Sequence, residues 1–272
     1  MPMTLLALLS LALGASAEAT SLGRSRVVLP KSVTRLRGGL SSKQVLYGAA
    51  AYGILQGTLF TLKPEIPVAG TWGEAEADRN VPVNIMTEVA GTLFANYGVA
   101  ALLLARGADA VGAVTGGLGC LILRMLYDFF LNGLMPPPPV IVLTLAVVGA
   151  GLSKKFAPEK VLFGAAAFGI LQGVLFTVKP AIPVAATWGE AEAQKNVPVR
   201  IMTEVCGTLF AVYGVTALLL ARGVDPVSSV TGGLGCLVVR MAFDLLVNKL
   251  MPPPPVIVMT AAVIGAGLLA SK

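Results

Sequence analysis

The sequence predicts an all-α, polytopic membrane protein with eight transmembrane helices, arranged as two parallel four-helix repeats. Three observations support this fold class: the composition, an internal repeat, and four apolar segments in each copy. Of the 272 residues, 56% are hydrophobic and only 12% are charged, whereas about a quarter of the residues in a soluble domain are charged. A chain with so few charges is suited to a lipid bilayer rather than to water on all sides.

The distribution of charge argues against nucleic acid as a partner. Six of the 20 basic residues precede residue 44, against one of the 14 acidic residues, so the rest of the chain carries 14 basic and 13 acidic residues. Domains that bind nucleic acid carry a basic patch or stripe, and this nearly neutral remainder has no such stripe. The expected partners are the lipid bilayer and, as a second class, other membrane subunits.

The first 43 residues resemble a targeting segment. Residues 1–17 combine a short apolar run with Ala15, Ser16 and Ala17, and this pattern predicts a cleaved signal peptide. Residues 18–43 are basic and rich in Ser and Arg, as transit peptides are. Together the two stretches resemble the bipartite presequences of algae with complex plastids, and they predict a multi-pass protein of a plastid membrane. The alternative is a secretory signal followed by a basic tether, in another endomembrane.

An ungapped internal repeat sets the domain organisation. Residues 45–153 align with residues 161–269 at a constant offset of 116, and 81 of the 109 aligned pairs are identical. We therefore predict a four-helix membrane repeat at 44–153, a linker at 154–160 and a second four-helix membrane repeat at 161–272. Because four spans are an even number, both copies would enter the bilayer from the same face and run parallel.

The apolar segments of the first copy cover residues 44–62, 83–104, 111–130 and approximately 134–152. Each is close to the roughly 20 residues that span a bilayer as a helix. The fourth begins in a run of prolines, which the first turn of a helix tolerates. Between the first two segments, Thr71 and Glu74 form a capping-box pattern, which predicts a short surface helix with Trp72 at the membrane interface.

Small residues recur at a spacing of four along the predicted spans. Gly53 and Gly57 form one such pair, and Gly91 and Ala95 form another. This spacing lets helix backbones approach closely within lipid, so it favours tight helix packing. A pore lined by exposed backbone is the alternative interpretation.

Charged residues inside the predicted spans form the candidate site. Arg124 and Asp128 lie one helical turn apart in the third segment, and Glu88 lies near the start of the second. At 1.5 Å per residue, Glu88 and Arg124 are both roughly 7 to 14 Å below the same surface. We therefore predict one Glu–Arg–Asp cluster in each copy. The equivalent residues of the second copy are Glu204, Arg240 and Asp244.

Two interpretations of these clusters remain open. Each is either a buried ion-pair clamp that fixes helix register, or a substrate, ion or proton site that faces a cavity. In both cases the arginine needs a partner, because an unpaired charge at the bilayer centre costs about 2.5–3.5 kcal/mol or more. Gln56 and Gln172 of the first segments are candidates to join the clusters.

The repeat unit shows a resemblance to a known group of membrane proteins. The residues concerned are Gly91, Tyr97, Gly98, Arg106, Arg124, Asp128, Gly133 and Pro136. With four short spans, a glycine-rich second span and an arginine in the third, the unit is similar to the DoxX-like four-helix families of unknown function. The resemblance implies the helical fold and no particular activity. The second copy departs from the pattern where Lys249 replaces the glycine.

The sequence therefore favours a non-enzymatic scaffold or accessory subunit in a plastid membrane. Histidine is absent, and Cys120, Cys206 and Cys236 lie in apolar stretches without a CxxC motif, so no cofactor, metal site or catalytic residue is predicted. The alternative is a small-solute or ion transporter that uses the intramembrane Glu–Arg–Asp cluster of each repeat.

Overall fold

The structure is a computed structural model that describes residues 40–270, and the regular structure in this range is entirely helical. The predicted signal peptide at 1–17 and most of the transit-like segment at 18–43 lie outside the described residues, as do residues 271 and 272. The helices of the first half are α1 (Ser42–Leu62), α2 (Glu65–Trp72), α3 (Glu74–Arg79), α4 (Val81–Ala105), α5 (Ala110–Phe130) and α6 (Pro138–Ser153). Those of the second half are α7 (Pro158–Val178), α8 (Ala181–Trp188), α9 (Glu190–Lys195), α10 (Val197–Ala221), α11 (Pro226–Phe243) and α12 (Pro254–Ala270), with a π-helical turn at Asp244–Asn248 after α11.

Six of the described helices are long and apolar enough to cross a membrane: α1, α4 and α5 in the first half, and α7, α10 and α11 with its π turn in the second. This finding agrees with a multi-pass, all-α membrane protein. The fourth helix of each half is shorter, since α6 has 16 residues and α12 has 17. Helix α6 begins at Pro138 rather than near residue 134, because Gly133 turns the chain at φ 63° and the prolines that follow lack the N–H groups of a helix interior.

Side-chain caps fix where the long helices begin. Helix α1 starts at Ser42, two residues before the predicted span, because Ser41 and Gln44 form a reciprocal capping box. Asn80 caps α4 by accepting a hydrogen bond from the Val83 N–H at 3.2 Å. These caps pair N–H groups that the first turn of a helix leaves without partners.

The capping box predicted at Thr71 and Glu74 is wrong. Thr71 lies inside α2, where its hydroxyl donates to the carbonyl oxygen of Pro67 at 2.8 Å. The cap position of α3 is Gly73, at φ 95° and without a side-chain cap. A left-handed glycine interrupts the helical path between α2 and α3, so the threonine hydroxyl bonds back within α2 instead of capping α3.

Glycines bring α1 and α4 into backbone contact. A Cβ atom placed on Gly53 would lie 2.6 Å from the Cα of Gly98, and one placed on Gly57 would lie 2.9 Å from the backbone of Gly91 and Ala95. Both distances are too short for any side chain. The predicted small-residue packing is therefore present between these two helices.

Hydrogen bonds join the two halves in a crosswise pattern. The side-chain amides of Asn80 and Asn196 each donate to the other, at 2.9 and 2.8 Å. Deeper in the bundle, the Tyr213 hydroxyl donates to the carbonyl oxygen of Val114 at 3.2 Å, so α10 of the second half bonds to α5 of the first. Helices α4 and α10 also pack against each other, and the halves therefore share one interior.

The bond between Tyr52 and Thr260 joins the halves and has no counterpart at the equivalent place. The hydroxyl groups of Tyr52 in α1 and Thr260 in α12 are 2.8 Å apart, and both residues are buried. At the equivalent place, α7 carries Phe168 and α6 carries Thr144, whose buried hydroxyl has no hydrogen-bond partner. Phenylalanine lacks the hydroxyl that would satisfy this threonine, and a groove lined by Phe168 and Val147 lies between α6 and α7.

Replacing Phe168 with tyrosine is expected to stabilise the protein by about 0.6–1 kcal/mol, the net contribution of one buried hydrogen bond. The new hydroxyl would bond to Thr144 as Tyr52 bonds to Thr260. Denaturation of the purified protein in mixed detergent micelles measures the change. Phe168→Tyr combined with Thr144→Val is the matched control, which should lose the gain. An equal gain in both variants would show that the hydrogen bond is not its cause.

Candidate functional site

The first charge cluster, formed by Glu88, Arg124 and Asp128, joins α4 to α5. The Arg124 Nε and one Nη donate to the two Asp128 carboxylate oxygens at 2.8 and 2.6 Å. The other Nη donates to Glu88 Oε2 at 2.5 Å. Arg124 and Asp128 lie four residues apart, which places them on one face of α5. Since α4 and α5 are antiparallel, the start of α4 brings Glu88 to the same depth.

The second charge cluster, formed by Glu204, Arg240 and Asp244, repeats this geometry between α10 and α11. Arg240 makes a two-pronged ion pair with Asp244 at 2.8 and 2.6 Å, and it donates to Glu204 Oε2 at 2.5 Å. The structure therefore brings together all six residues predicted for the site. Arg124 and Arg240 are each 5% exposed, so both guanidinium groups lie inside the protein.

Each cluster holds more negative than positive charge. Two carboxylates face one guanidinium, so a fully ionised cluster carries a formal charge of −1. The three bonds that Arg124 makes use three of its five N–H groups. The first cluster therefore has a charged, nearly saturated core with two N–H groups left for another acceptor.

Two asparagines that the sequence analysis missed extend the clusters. The Asn132 side-chain amide donates to Asp128 at 2.8 Å, and that of Asn248 donates to Asp244 at 2.7 Å. Arg124, Asp128 and Asn132 are spaced by four residues, and this i, i+4, i+8 series is a signal that the sequence did contain. Asn132 lies just after α5 and Asn248 ends the π-helical turn after α11, so each bond holds its aspartate from the C-terminal side.

The glutamines considered as further cluster members lie elsewhere. Gln56 and Gln172 are buried, and their carbonyl oxygens have no hydrogen-bond partner among the described residues. Asn96 in α4 is also buried, at 1% exposed, and neither its side-chain oxygen nor its nitrogen is hydrogen-bonded. Val212 occupies the equivalent position in α10, and nothing in the structure accounts for an amide at Asn96.

Two apolar pockets lie between the halves, one beside each cluster. The Arg124 pocket has a volume of about 670 Å³, including its open mouth, and Arg124 and Asp128 form part of its wall. The opposite wall comes from the second half and includes Trp188 and Phe176. Trp188 is the counterpart of Trp72, for which the sequence predicted a place at the membrane interface. The prediction did not include a role in lining a pocket.

In the Arg240 pocket the two halves exchange roles. It measures about 660 Å³, including its mouth, and Arg240 and Asp244 of the second half face Trp72 and Phe60 of the first. Glu88 and Glu204 are not among the residues that line these two pockets. Each pocket therefore needs both halves, and this is why a single repeat of the sequence could not predict it.

The remaining candidate residues are the cysteines. Cys206 and Cys236 are buried, Cys120 is partly exposed, and all three are free thiols. Within residues 40–270, no group of three or more His, Cys, Asp or Glu side chains is placed to hold a metal ion.

Comparisons with protein-family models, with curated proteins and with solved structures find no match to this chain. The resemblance to DoxX-like families therefore stays a prediction from the sequence, and the geometry of the site is the basis for the function proposed below.

Proposed function

We propose that this chain is a non-enzymatic scaffold or accessory subunit of a plastid membrane assembly, in which the two charge clusters act as ion-pair clamps. The observation that supports this role is the pairing of Arg124 and Arg240, each held by one carboxylate from its own helix and one from the neighbouring helix. A guanidinium held on two sides fixes the register of two helices. Such a clamp suits a rigid framework better than a site whose charges must change partners.

The proposed topology has eight membrane crossings, with α6 and α12 crossing beside the six longer helices. A helix of 16 residues is about 24 Å long, which is shorter than the roughly 30 Å hydrocarbon core. The proline-rich turns before α6 and α12 would supply the rest of the path. Irregular backbone is tolerated at membrane depth where protein covers it, and Pro136 and Pro252 line the two pockets.

Purification from native membranes tests the scaffold role. A tagged chain, extracted in mild detergent, is expected to retain one set of membrane subunits at a fixed ratio. The same chain, reconstituted alone into vesicles, is expected to show no proton or solute flux above that of empty vesicles. An unrelated tagged multi-pass protein from the same membranes sets the background. A chain that purifies alone and shows flux in vesicles would contradict the proposal.

A transporter is the second candidate, and the formal charge of −1 in each cluster favours it. An excess carboxylate within the membrane attracts a proton or a cation, and the Glu88 side chain is 19% exposed. Under this alternative, Glu88→Gln would abolish a flux that the unaltered chain shows. Under the clamp, neither protein shows flux.

A further inference from the structure

We propose that the Arg124 and Arg240 pockets each bind one uncharged amphiphile, with an apolar chain or flat ring system and a hydrogen-bond-accepting oxygen at its polar end. This inference concerns a ligand and does not depend on the scaffold role. Four features support it: the identical lining residues of the two pockets, their apolar walls, the N–H groups of the arginines that have no carboxylate partner, and the charge of the clusters.

The two pockets have remained identical while the halves have diverged. Each pocket is lined by 18 residues, at the same 18 positions of the two copies, and every pair is the same residue type. Eighteen positions drawn at random from the aligned 109 would include about five differences. Burial alone does not explain this, because buried pairs such as Tyr52 and Phe168, or Asn96 and Val212, do differ. A shared ligand would constrain both pockets in the same way.

The walls indicate an apolar body. Around Arg124, the Met86 and Met125 side chains of one half face the Phe176 and Trp188 rings of the other. Ligand pockets combine such walls with a few polar groups, and here Arg124 and Asp128 supply the polar groups. An apolar chain or a flat ring matches walls built from thioether and aromatic side chains.

The cluster indicates the polar end. Arg124 lines the pocket and keeps two N–H groups beyond its three bonds to carboxylates, so an acceptor is the ligand group that it can bind. A carboxylate or phosphate would meet the formal charge of −1 of the cluster and be repelled. An ammonium group accepts no hydrogen bond from an arginine. A neutral carbonyl, ester or hydroxyl oxygen remains.

Photolabelling of the full chain in lipid nanodiscs tests this inference. Three hexadecyl probes carry the same mid-chain diazirine and differ only in the head, which is a methyl ester, a carboxylate or an amine. The ester probe is expected to label residues of both pockets saturably, at up to two molecules per chain. Its labelling should be about tenfold stronger than that of the carboxylate or the amine probe, because a charged head binds less tightly by about 1.4 kcal/mol. Saturable labelling led by a charged probe would overturn the proposed ligand class.

Two variants show whether the pockets are the labelled sites. Met135→Trp narrows the Arg124 pocket and Met251→Trp narrows the Arg240 pocket, at positions that are 60% and 64% exposed. Each variant is expected to lose the label of the pocket that it narrows, which halves the total labelling of the chain. Label that remains in the other pocket shows that the variant is folded. Leu143→Trp, in the separate groove between α6 and α7, is the control and should change nothing. Equal, unsaturable labelling in all variants would refute the inference.

Discussion

Arg124→Leu is expected to lower the free energy of unfolding by about 3–5 kcal/mol, the cost of breaking a buried ion pair from one side. The substitution leaves Glu88 and Asp128 facing each other without the guanidinium that now bonds to both. Two largely buried carboxylates without a cation between them repel each other, and this repulsion destabilises the folded protein. The loss should be visible as reduced accumulation in membranes and as earlier denaturation in mixed micelles.

Arg106→Leu is the matched control for this prediction. Arg106 follows α4 in the same half and is exposed, with no ion pair among the described residues. A substitution at a surface position of this kind usually changes the stability by about 0.5 kcal/mol or less. If Arg124→Leu were as mild as Arg106→Leu, Arg124 would not be a buried clamp, and its side chain would instead reach the membrane surface.

Gly98→Val is the second substitution with a large expected effect, and we expect a loss of about 3 kcal/mol. A Cβ atom at Gly98 would lie 2.6 Å from the backbone nitrogen of Ile54 and 2.8 Å from the carbonyl carbon of Gly53. Both atoms belong to the backbone of α1 and cannot rotate away as a side chain can. Overpacking typically costs 1–3 kcal/mol, and a clash between two backbones belongs at the upper end of that range.

Gly48→Val provides the control in the partner helix. A Cβ atom at Gly48 meets no atom within 4 Å, so valine adds no clash there, and the small cost of a β-branched residue in a helix is offset by the loss of glycine. Denaturation in the same micelles compares the two variants. Equal stability of Gly98→Val and Gly48→Val would show that α1 and α4 are not in backbone contact.

The sequence predicted well those features that depend on one helix or on two neighbouring helices. Hydropathy located the six long spans. The spacing of Arg124 and Asp128, with the depth of Glu88, indicated the cluster that the structure shows. These predictions succeeded because helical periodicity and antiparallel neighbours fix both face and depth.

Features that depend on distant residues or on local competition were not predicted. Tyr52 and Thr260 are 208 residues apart, and each pocket takes one wall from each half, so no local pattern encodes them. The capping box at Thr71 failed for a different reason, since Gly73 at φ 95° ends α2 after the threonine rather than before it. A cap motif is a weak signal next to a glycine that can adopt a left-handed conformation.

The most direct test of the clamp is a double-mutant cycle on Arg124 and Glu88, read out in both stability and flux. The Glu88 carboxylate destabilises the protein only when the Arg124 guanidinium is absent. The loss of unfolding free energy in the double variant, Arg124→Leu with Glu88→Gln, should therefore be at least about 1 kcal/mol smaller than the sum of the two single losses. This difference is within the range for residues in contact. Vesicles with any of the four proteins should show only the proton flux of empty vesicles. Additive effects on stability, together with a flux in the unaltered protein that both single variants lose, would contradict the clamp and establish the clusters as a transport site.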